Sequence, residues 1–253
     1  MIGLKAIILA AGRGTRISRM IRQVPKCTLP VGGKPLIRHT VELLISRGIK
    51  PIVCVGYKRA LVEEALVGLG VKTYCNPFFD ITNSIASLWF AREELDDDLL
   101  IMNGDVFFSP HILDLILADP RDVVMAIDKS RTITGDFFFT LTGNGSIRKY
   151  GTDLPLQERN CEYVGIAKIS RTFLPRFRTR LDELVMKQKH ELWWENVLYS
   201  FADNNERDIL TKDVGGLFWS EIDYFDDYER ILTYLERESA ATRDTITRFD
   251  GDF

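Results

Sequence analysis

Three cations gather near glycines directly after an apolar run. In "AIILAAGRGTR" (6–16) the run ends in Gly12-Arg13-Gly14-Thr15-Arg16, and Lys26 follows in "PKCTLPVGGKPLI" (25–37). Glycines at 12 and 14 let the main chain come close to a ligand, and successive backbone N–H groups there can cradle phosphate oxygens. Arg13, Arg16 and Lys26 would neutralise the charge of such a ligand. Two familiar phosphate motifs do not fit. A dinucleotide fingerprint needs a third glycine at position 17, where Ile17 stands. A Walker A loop needs Gly-Lys-Ser/Thr, whereas Gly33-Lys34 runs into Pro35 and Thr28 occupies the place of its first glycine.

Two distant carboxylates complement the cations. Asp105, after Gly104 in "NGDVFF", stands just past an apolar strand, where it can hold Mg²⁺ at the ligand edge of a sheet. Asp223 in "WSEIDYFDDYE" follows another short strand and could complete a metal site. Each also has a structural alternative: Asp105 could cap the helix in "SPHILDLIL" and Asp223 the last helix, while Lys26 could simply be solvated beside Pro25.

The elements that must position these groups alternate. "KAIILAA" (5–11), "PIVCVG" (51–56), "VKTYC" (71–75) and "DLLIMNGD" (98–105) are expected as strands. "PLIRHTVELLISRG" (35–48), "KRALVEEALVGLG" (58–70) and "NSIASLWFAREEL" (83–95) are expected as helices. Such alternation predicts an α/β three-layer sandwich, a mostly parallel sheet with helices on both faces, whose ligands bind at the carboxyl ends of the strands. From Asp122 to about Lys168 short runs around a "TGNGS" turn (142–146) predict a small antiparallel addition in the second half. Helices return in "RTFLPRFRTRLDELVMKQK" and "ELWWENVLYSFA". A strand pair, "DILTKDV" with "GLFWSEID", precedes a last helix in "YFDDYERILTYLERE". One domain over 1–238 and a frayed polar tail over 239–253 are expected.

Bulk properties exclude several classes. The chain has 253 residues, 45% hydrophobic and 27% charged, with a formal net charge of −3 that removes the electrostatic case for nucleic-acid binding. No apolar run approaches the roughly 18 to 20 residues that cross a bilayer, so no membrane insertion is expected, and the N-terminus reads as a first strand rather than a leader. Cys27, Cys54, Cys75 and Cys161 form no CxxC pair and are expected as buried thiols in the cytoplasm. His39, His111 and His190 fall within or beside helical patterns and are expected to be structural.

"LAAGRGTR" together with "PKCTLPVGGKPLI" resembles the signature of nucleotidyltransferases that activate phosphorylated sugars and alcohols with an NTP. "NPFFDITNSIASLW", "EYVGIAKIS", "WWENV" and "EIDYFDDY" are similar to segments of the bacterial phosphocholine and 2-aminoethylphosphonate cytidylyltransferases. The resemblance covers roughly Lys5 to Glu229 and implies a Rossmann-like fold. It also implies transfer of CMP from CTP to a small phosphate or phosphonate acceptor with release of pyrophosphate. By that resemblance Leu9, Ala10, Ala11, Gly12, Arg13, Gly14, Thr15 and Gly104 border the nucleotide. Asn83 and Ser84 face the cytosine edge, Arg16 grips the pyrophosphate, Lys26 bridges the α-phosphate and the acceptor, and Asp105 and Asp223 hold Mg²⁺.

For the acceptor, Asp136, Glu162, Tyr163, Trp194 and Glu195 are the expected contacts, with Trp193 and Trp219 as further aromatics. Phe137 stands where choline enzymes would carry a tryptophan. A quaternary ammonium favours aromatic faces and a primary amine favours carboxylates, and this sequence holds both. A sugar-1-phosphate transferase using another NTP, or a non-catalytic nucleotide-binding subunit, would share the first turn. "TNSIASLW" speaks against the former, and the presence of Lys26 and both carboxylates against the latter. The face of the "RTFLPRFRTRLDEL" helix is one on which a homodimer could form.

Overall fold

The computed structural model describes residues 3–14 and 24–249, with residues 241–249 as backbone alone. Branched apolar runs become strands, and amphipathic stretches become the helices that cover them. The first half comprises β1 (Lys5–Ala10), the short pair β2 (Pro30–Val31) and β3 (Lys34–Pro35), α1 (Leu36–Ser46), β4 (Lys50–Val55), α2 (Arg59–Ala65), β5 (Lys72–Cys75), α3 (Ser84–Phe90), β6 (Leu99–Asn103), β7 (Val106–Phe108) and α4 (Pro110–Leu117). The second half adds β8 (Val123–Asp128), β9 (Phe138–Leu141), β10 (Ile147–Gly151), β11 (Cys161–Ile169), α5 (Leu174–Met186), α6 (Asn196–Asp203), β12 (Leu210–Asp213), β13 (Trp219–Glu221) and α7 (Phe225–Phe249).

Strands β5, β4, β1 and β6 pair in parallel in that order, with Ile7 opposite Ile52 on one side and Ile101 on the other. β11 then joins β6 antiparallel, and β8 and β9 pair with β11, so the antiparallel addition extends the same sheet. The "TGNGS" turn joins β9 to β10 as an antiparallel pair. Successive residues of β1 face opposite sides. Ile7 and Leu9 enter a core with α3, α5 and α6, while Ala6, Ile8 and Ala10 enter a second core with α1, α2 and α4. This is the three-layer arrangement. A third, smaller cluster packs Ile231 of α7 against Leu29, Val31, Phe107 and Ile222, and it seats the last helix beside the Lys26 turn.

Two readings of the second half are corrected. "DILTKDV" and "GLFWSEID" do not pair with each other: β12 runs parallel to β8, and β13 pairs antiparallel with β7, a strand that three residues after Asp105 did not announce. The last helix continues to Phe249, through most of the stretch read as a frayed tail. Of the cysteines, Cys27, Cys54 and Cys161 are buried and Cys75 is half-buried, all of them free thiols. Among the described residues no helix is long and apolar enough to cross a membrane.

Backbone contacts bring β1 and β6, two interior strands, together at their carboxyl ends. The Gly104 N–H donates to the Leu9 carbonyl at 2.9 Å. A Cβ at Gly104 would lie 2.8 Å from that carbonyl oxygen and 2.9 Å from Ala10 Cβ. On β11, Glu162 is buried; it pairs with Arg131 at 2.9 Å and accepts from the Asp136 N–H at 3.0 Å. Burial nevertheless dominates and pushes its carboxyl up to about 7, against the pull of Arg131.

Gly104→Ala is therefore expected to lower stability by about 1–3 kcal/mol, because the crowding atoms are main chain or sit on it. A denaturant midpoint equal to the wild type would contradict the close approach. Glu162 generates a pH effect. Its proton is held in the folded chain while the unfolded chain releases it from about 4.5 upward, so stability present below that pH is lost as pH rises through about 7. Glu162→Gln cannot titrate, and its stability should lack that decline, a difference on the order of 1–3 kcal/mol across the interval. Parallel stability–pH profiles for the two proteins would refute the assignment.

Candidate active site

The carboxyl ends of β1 and β6 open onto a cavity of about 560 Å³. Its near wall is the turn from Leu9 to Gly14, and its floor carries Asn103, Gly104 and Asp105. Gly14 has φ +60°, and a Cβ there would fall 2.5 Å from Lys26 Cγ, so the turn is glycine because the lysine side chain crosses it. A second close approach backs the turn: the Tyr57 N–H donates to the Ala11 carbonyl at 2.9 Å, and a Cβ on Gly56 would lie 2.8 Å from the same oxygen. Arg13 stands at the rim, its guanidinium 5.5 Å from the Tyr57 ring centre and 6.0 Å from that of Phe79.

Lys26 lies on a short 3₁₀ turn, Lys26–Thr28, that Pro25 introduces. It is 9% exposed, and its ammonium reaches Asp105 Oδ2 at 3.3 Å and also pairs with Asp223 Oδ1. Burial pulls the lysine down, but Asp105 and Asp223 outweigh it and hold the ammonium above the ordinary lysine value. Asp105, Glu221 and Asp223 each offer a carboxylate oxygen, and the three oxygens lie within 4.8 Å of one another. Burial pushes Glu221 well above the usual carboxylate range, and Asp105 and Asp223 add to the shift. One ammonium stands among three carboxyl groups, and Glu221 meets the crowding by holding its proton until a further cation arrives. An all-oxygen, carboxylate-rich donor set of this size suits a hard divalent cation such as Mg²⁺.

The capping alternatives for the two aspartates give way to other contacts. The first turn of α7 is served by Asp227, which accepts from the N–H groups of Asp223 and Tyr224 at 3.1 and 2.8 Å, while the Asp223 carboxylate turns to Lys26. Asp105 turns to the same lysine, and Ser109 is the residue that precedes α4.

The structure brings most of the sequence-predicted residues to one cavity. Leu9, Ala10, Ala11, Gly12, Arg13, Gly14, Lys26, Asn83, Ser84, Gly104, Asp105 and Asp223 line it, as do Asp136, Tyr163 and Glu195. Arg16 and Thr15 lie outside the described residues. Glu162 and Trp194 do not line the cavity. Glu162 is held behind it by Arg131, and Trp194 is fully buried, donating from Nε1 to Asn103 Oδ1 at 3.2 Å. Trp193, 44% exposed, takes the place expected for its neighbour. Trp219 is also buried and donates to Asp128 at 2.9 Å. Of the histidines, His39 is held by the Val31 carbonyl.

Sequence reasoning missed Glu221, Tyr199 and the loop organiser Asn76. Glu221 was legible as the i−2 partner of Asp223, since residues two apart in an extended segment share a face. Asn76 is buried, donates to Thr82 and Ser87 at 3.0 Å each, and accepts from the Phe78 N–H at 2.9 Å. It thereby fixes the loop from which Phe79, Asp80 and Thr82 reach the cavity. Burial pushes Glu195 up to about 8, while Asn103 pulls the other way.

The MobA-like NTP transferase domain matches residues 6–199. A CMP-5′-(3-aminopropyl)phosphonate synthase of Streptomyces rubellomurinus is 26% identical over 88% of this chain; the match spans 37% of that longer protein. The choline-phosphate cytidylyltransferase of Streptococcus pneumoniae is 26% identical over 93% of this chain and 100% of its own length. A CTP:phosphoglutamine cytidylyltransferase of Campylobacter jejuni is 25% identical over 89% of this chain and 98% of its own. Among solved structures, the phosphocholine cytidylyltransferase of Streptococcus pneumoniae superposes with a TM-score of 0.75 at 24% identity, over 92% of this chain and all of that one. The inositol-1-phosphate CTP transferase of T. maritima gives 0.74 at 20% identity, over 92% and 96% of the two chains. These superpositions establish the shared fold. With the family match over most of its length, the chain belongs to the MobA-like NTP transferases and is a nucleotidyltransferase.

Proposed function

We propose that the protein is a cytidylyltransferase that moves CMP from CTP to a small acceptor bearing a phosphate or phosphonate, releasing pyrophosphate. One observation carries this reading. Lys26, Asp105 and Asp223 converge at the end of a cavity whose opposite walls are the Leu9–Gly14 turn and a cluster of polar and aromatic side chains.

The backbone N–H groups of residues 11–14 would hold the β- and γ-phosphates, with Arg13 and, by the resemblance, Arg16 balancing their charge. Asn83 and Ser84, with their amide and hydroxyl, present the donors and acceptors that a cytosine edge needs. Lys26 would sit between the α-phosphate and the incoming oxyanion. An oxygen of the acceptor attacks the α-phosphorus in line, and the bond from that phosphorus to the bridging oxygen of pyrophosphate breaks. Asp105, Glu221 and Asp223 would hold Mg²⁺, whose charge supports the crowded phosphate oxygens. The chain's own part is placement and charge complementarity, and no covalent nucleophile is required.

Pyrophosphate release with each NTP against phosphocholine, phosphoethanolamine, 2-aminoethylphosphonate and sugar 1-phosphates tests the reading. CTP should be preferred, and a preference for UTP or dTTP would defeat it. Lys26→Ala should reduce kcat by about a hundredfold or more with the fold retained by circular dichroism, the scale of losing one preorganised transition-state donor. Asp105→Ala should abolish Mg²⁺-dependent turnover. Near-wild-type rates in either variant would contradict the roles of these two side chains.

A further inference from the structure

The cavity wall supplied by β11 and α6 contains a feature that the nucleotide does not explain. Tyr163 Oη and Tyr199 Oη are buried and have no hydrogen-bond partner. The two residues are 6% and 1% exposed, and both line the cavity. They come from different elements, β11 and α6, so their meeting reflects the fold rather than one local turn. Buried polar groups in folded chains are almost always satisfied, and a pair left open on a cavity wall marks a place that a ligand completes.

The chemistry of that ligand follows from what surrounds the hydroxyls. Glu195 and Asp136 line the same cavity, and Glu195 is a buried carboxyl that an adjoining ammonium would ionise. Two carboxyl groups make the region unsuited to an anionic head group and suited to a cation. The tyrosine ring faces are already engaged by other rings. Tyr150 stacks on Tyr199 at 4.0 Å, Phe137 lies parallel to it at 5.9 Å, and Phe139 packs against Tyr163 at 5.6 Å. The ring faces are therefore taken, and what the tyrosines leave unpartnered is their hydroxyls.

Resting on the cytidylyltransferase reading, we propose that this region selects an acceptor whose distal end is a primary ammonium, and that Tyr163 and Tyr199 discriminate against a fully methylated one. An –NH₃⁺ group has three N–H donors, enough for two hydroxyl oxygens and a carboxylate. A trimethylammonium has none, and it would leave both buried hydroxyls unsatisfied while excluding water from them. Sites built to hydrogen-bond a substrate reject the analogue that cannot do so far more strongly than apolar pockets reject an extra methyl group. The ester and the phosphonate of a two-carbon amine share this head group, and the test separates them.

The experiment compares kcat/KM with CTP for phosphoethanolamine, its mono- and dimethyl derivatives, phosphocholine and 2-aminoethylphosphonate. Activity should fall along the methylation series, with phosphocholine about tenfold or more below phosphoethanolamine. The ratio of phosphoethanolamine to 2-aminoethylphosphonate reports whether ester or phosphonate is preferred. Tyr163→Phe and Tyr199→Phe should raise KM for the amine acceptors and narrow the gap to phosphocholine. Phosphocholine equal to or better than phosphoethanolamine in the wild type overturns the proposal whether or not either variant folds. An unchanged gap in folded variants does the same. Calorimetric binding of the same acceptors separates the two readings. An intact preference for the primary amine without turnover on CTP counts against the cytidylyl donor alone. Absence of any amine preference in binding counts against the subsite.

Discussion

The structure around the cavity depends on one electrostatic arrangement: a single buried ammonium, Lys26, set against Asp105, Glu221 and Asp223. Its members come from three separate parts of the chain, Glu221 and Asp223 sharing one segment. Lys26 sits on the turn after Pro25, Asp105 follows β6, Glu221 ends β13, and Asp223 precedes α7. Grouping like charges this closely is costly unless a cation compensates, and the lysine compensates only part. Much of the surrounding fold can be read as the means of holding these groups together. Gly14 lets the Lys26 stem pass, β7 pairs with β13 to bring Glu221 opposite Val106, and α7 packs over the β2–β3 turn.

A second set of contacts joins the two halves of the cavity. The Asn83 N–H donates to the His190 carbonyl at 2.8 Å, and the Trp194 N–H donates to Ser84 Oγ at 2.9 Å. Trp194, buried behind the wall, then reaches Asn103 at the floor. The segment proposed to meet the base and the segment carrying Trp193 and Glu195 thus form one hydrogen-bonded unit. In the proposed reaction, such a unit keeps donor and acceptor in fixed relation, which is where positioning catalysis gains most.

The fold was largely legible because its strands are long branched runs separated by clear helical periods, as in "AIILA" and "PIVCV". Legibility failed where elements are short or defined by partners far away. β7 has three residues and exists because β13 pairs with it, and β12 found β8 rather than its sequence neighbour, so neither pairing is encoded locally. At the site, glycine and lysine spacing pointed to the phosphate turn, and Asp105 and Asp223 were visible at strand ends. The choice between adjacent tryptophans was not visible. Trp193 and Trp194 differ only in which way the chain faces as it enters α6, and packing buries the second and leaves the first at the cavity. Tyr199 reads as a core residue of α6, and only tertiary contact shows its hydroxyl without a partner on the cavity wall.

The most direct test of the central arrangement is a crystal structure with a non-reactive CTP analogue and Mg²⁺. The triphosphate should lie on the backbone of residues 11–14, the cation on oxygens of Asp105 and Asp223, and the Lys26 ammonium within hydrogen-bonding distance of the α-phosphate. A nucleotide bound elsewhere, or bound in this cavity with Lys26 still directed only at the aspartates and no cation among the carboxylates, would contradict the account.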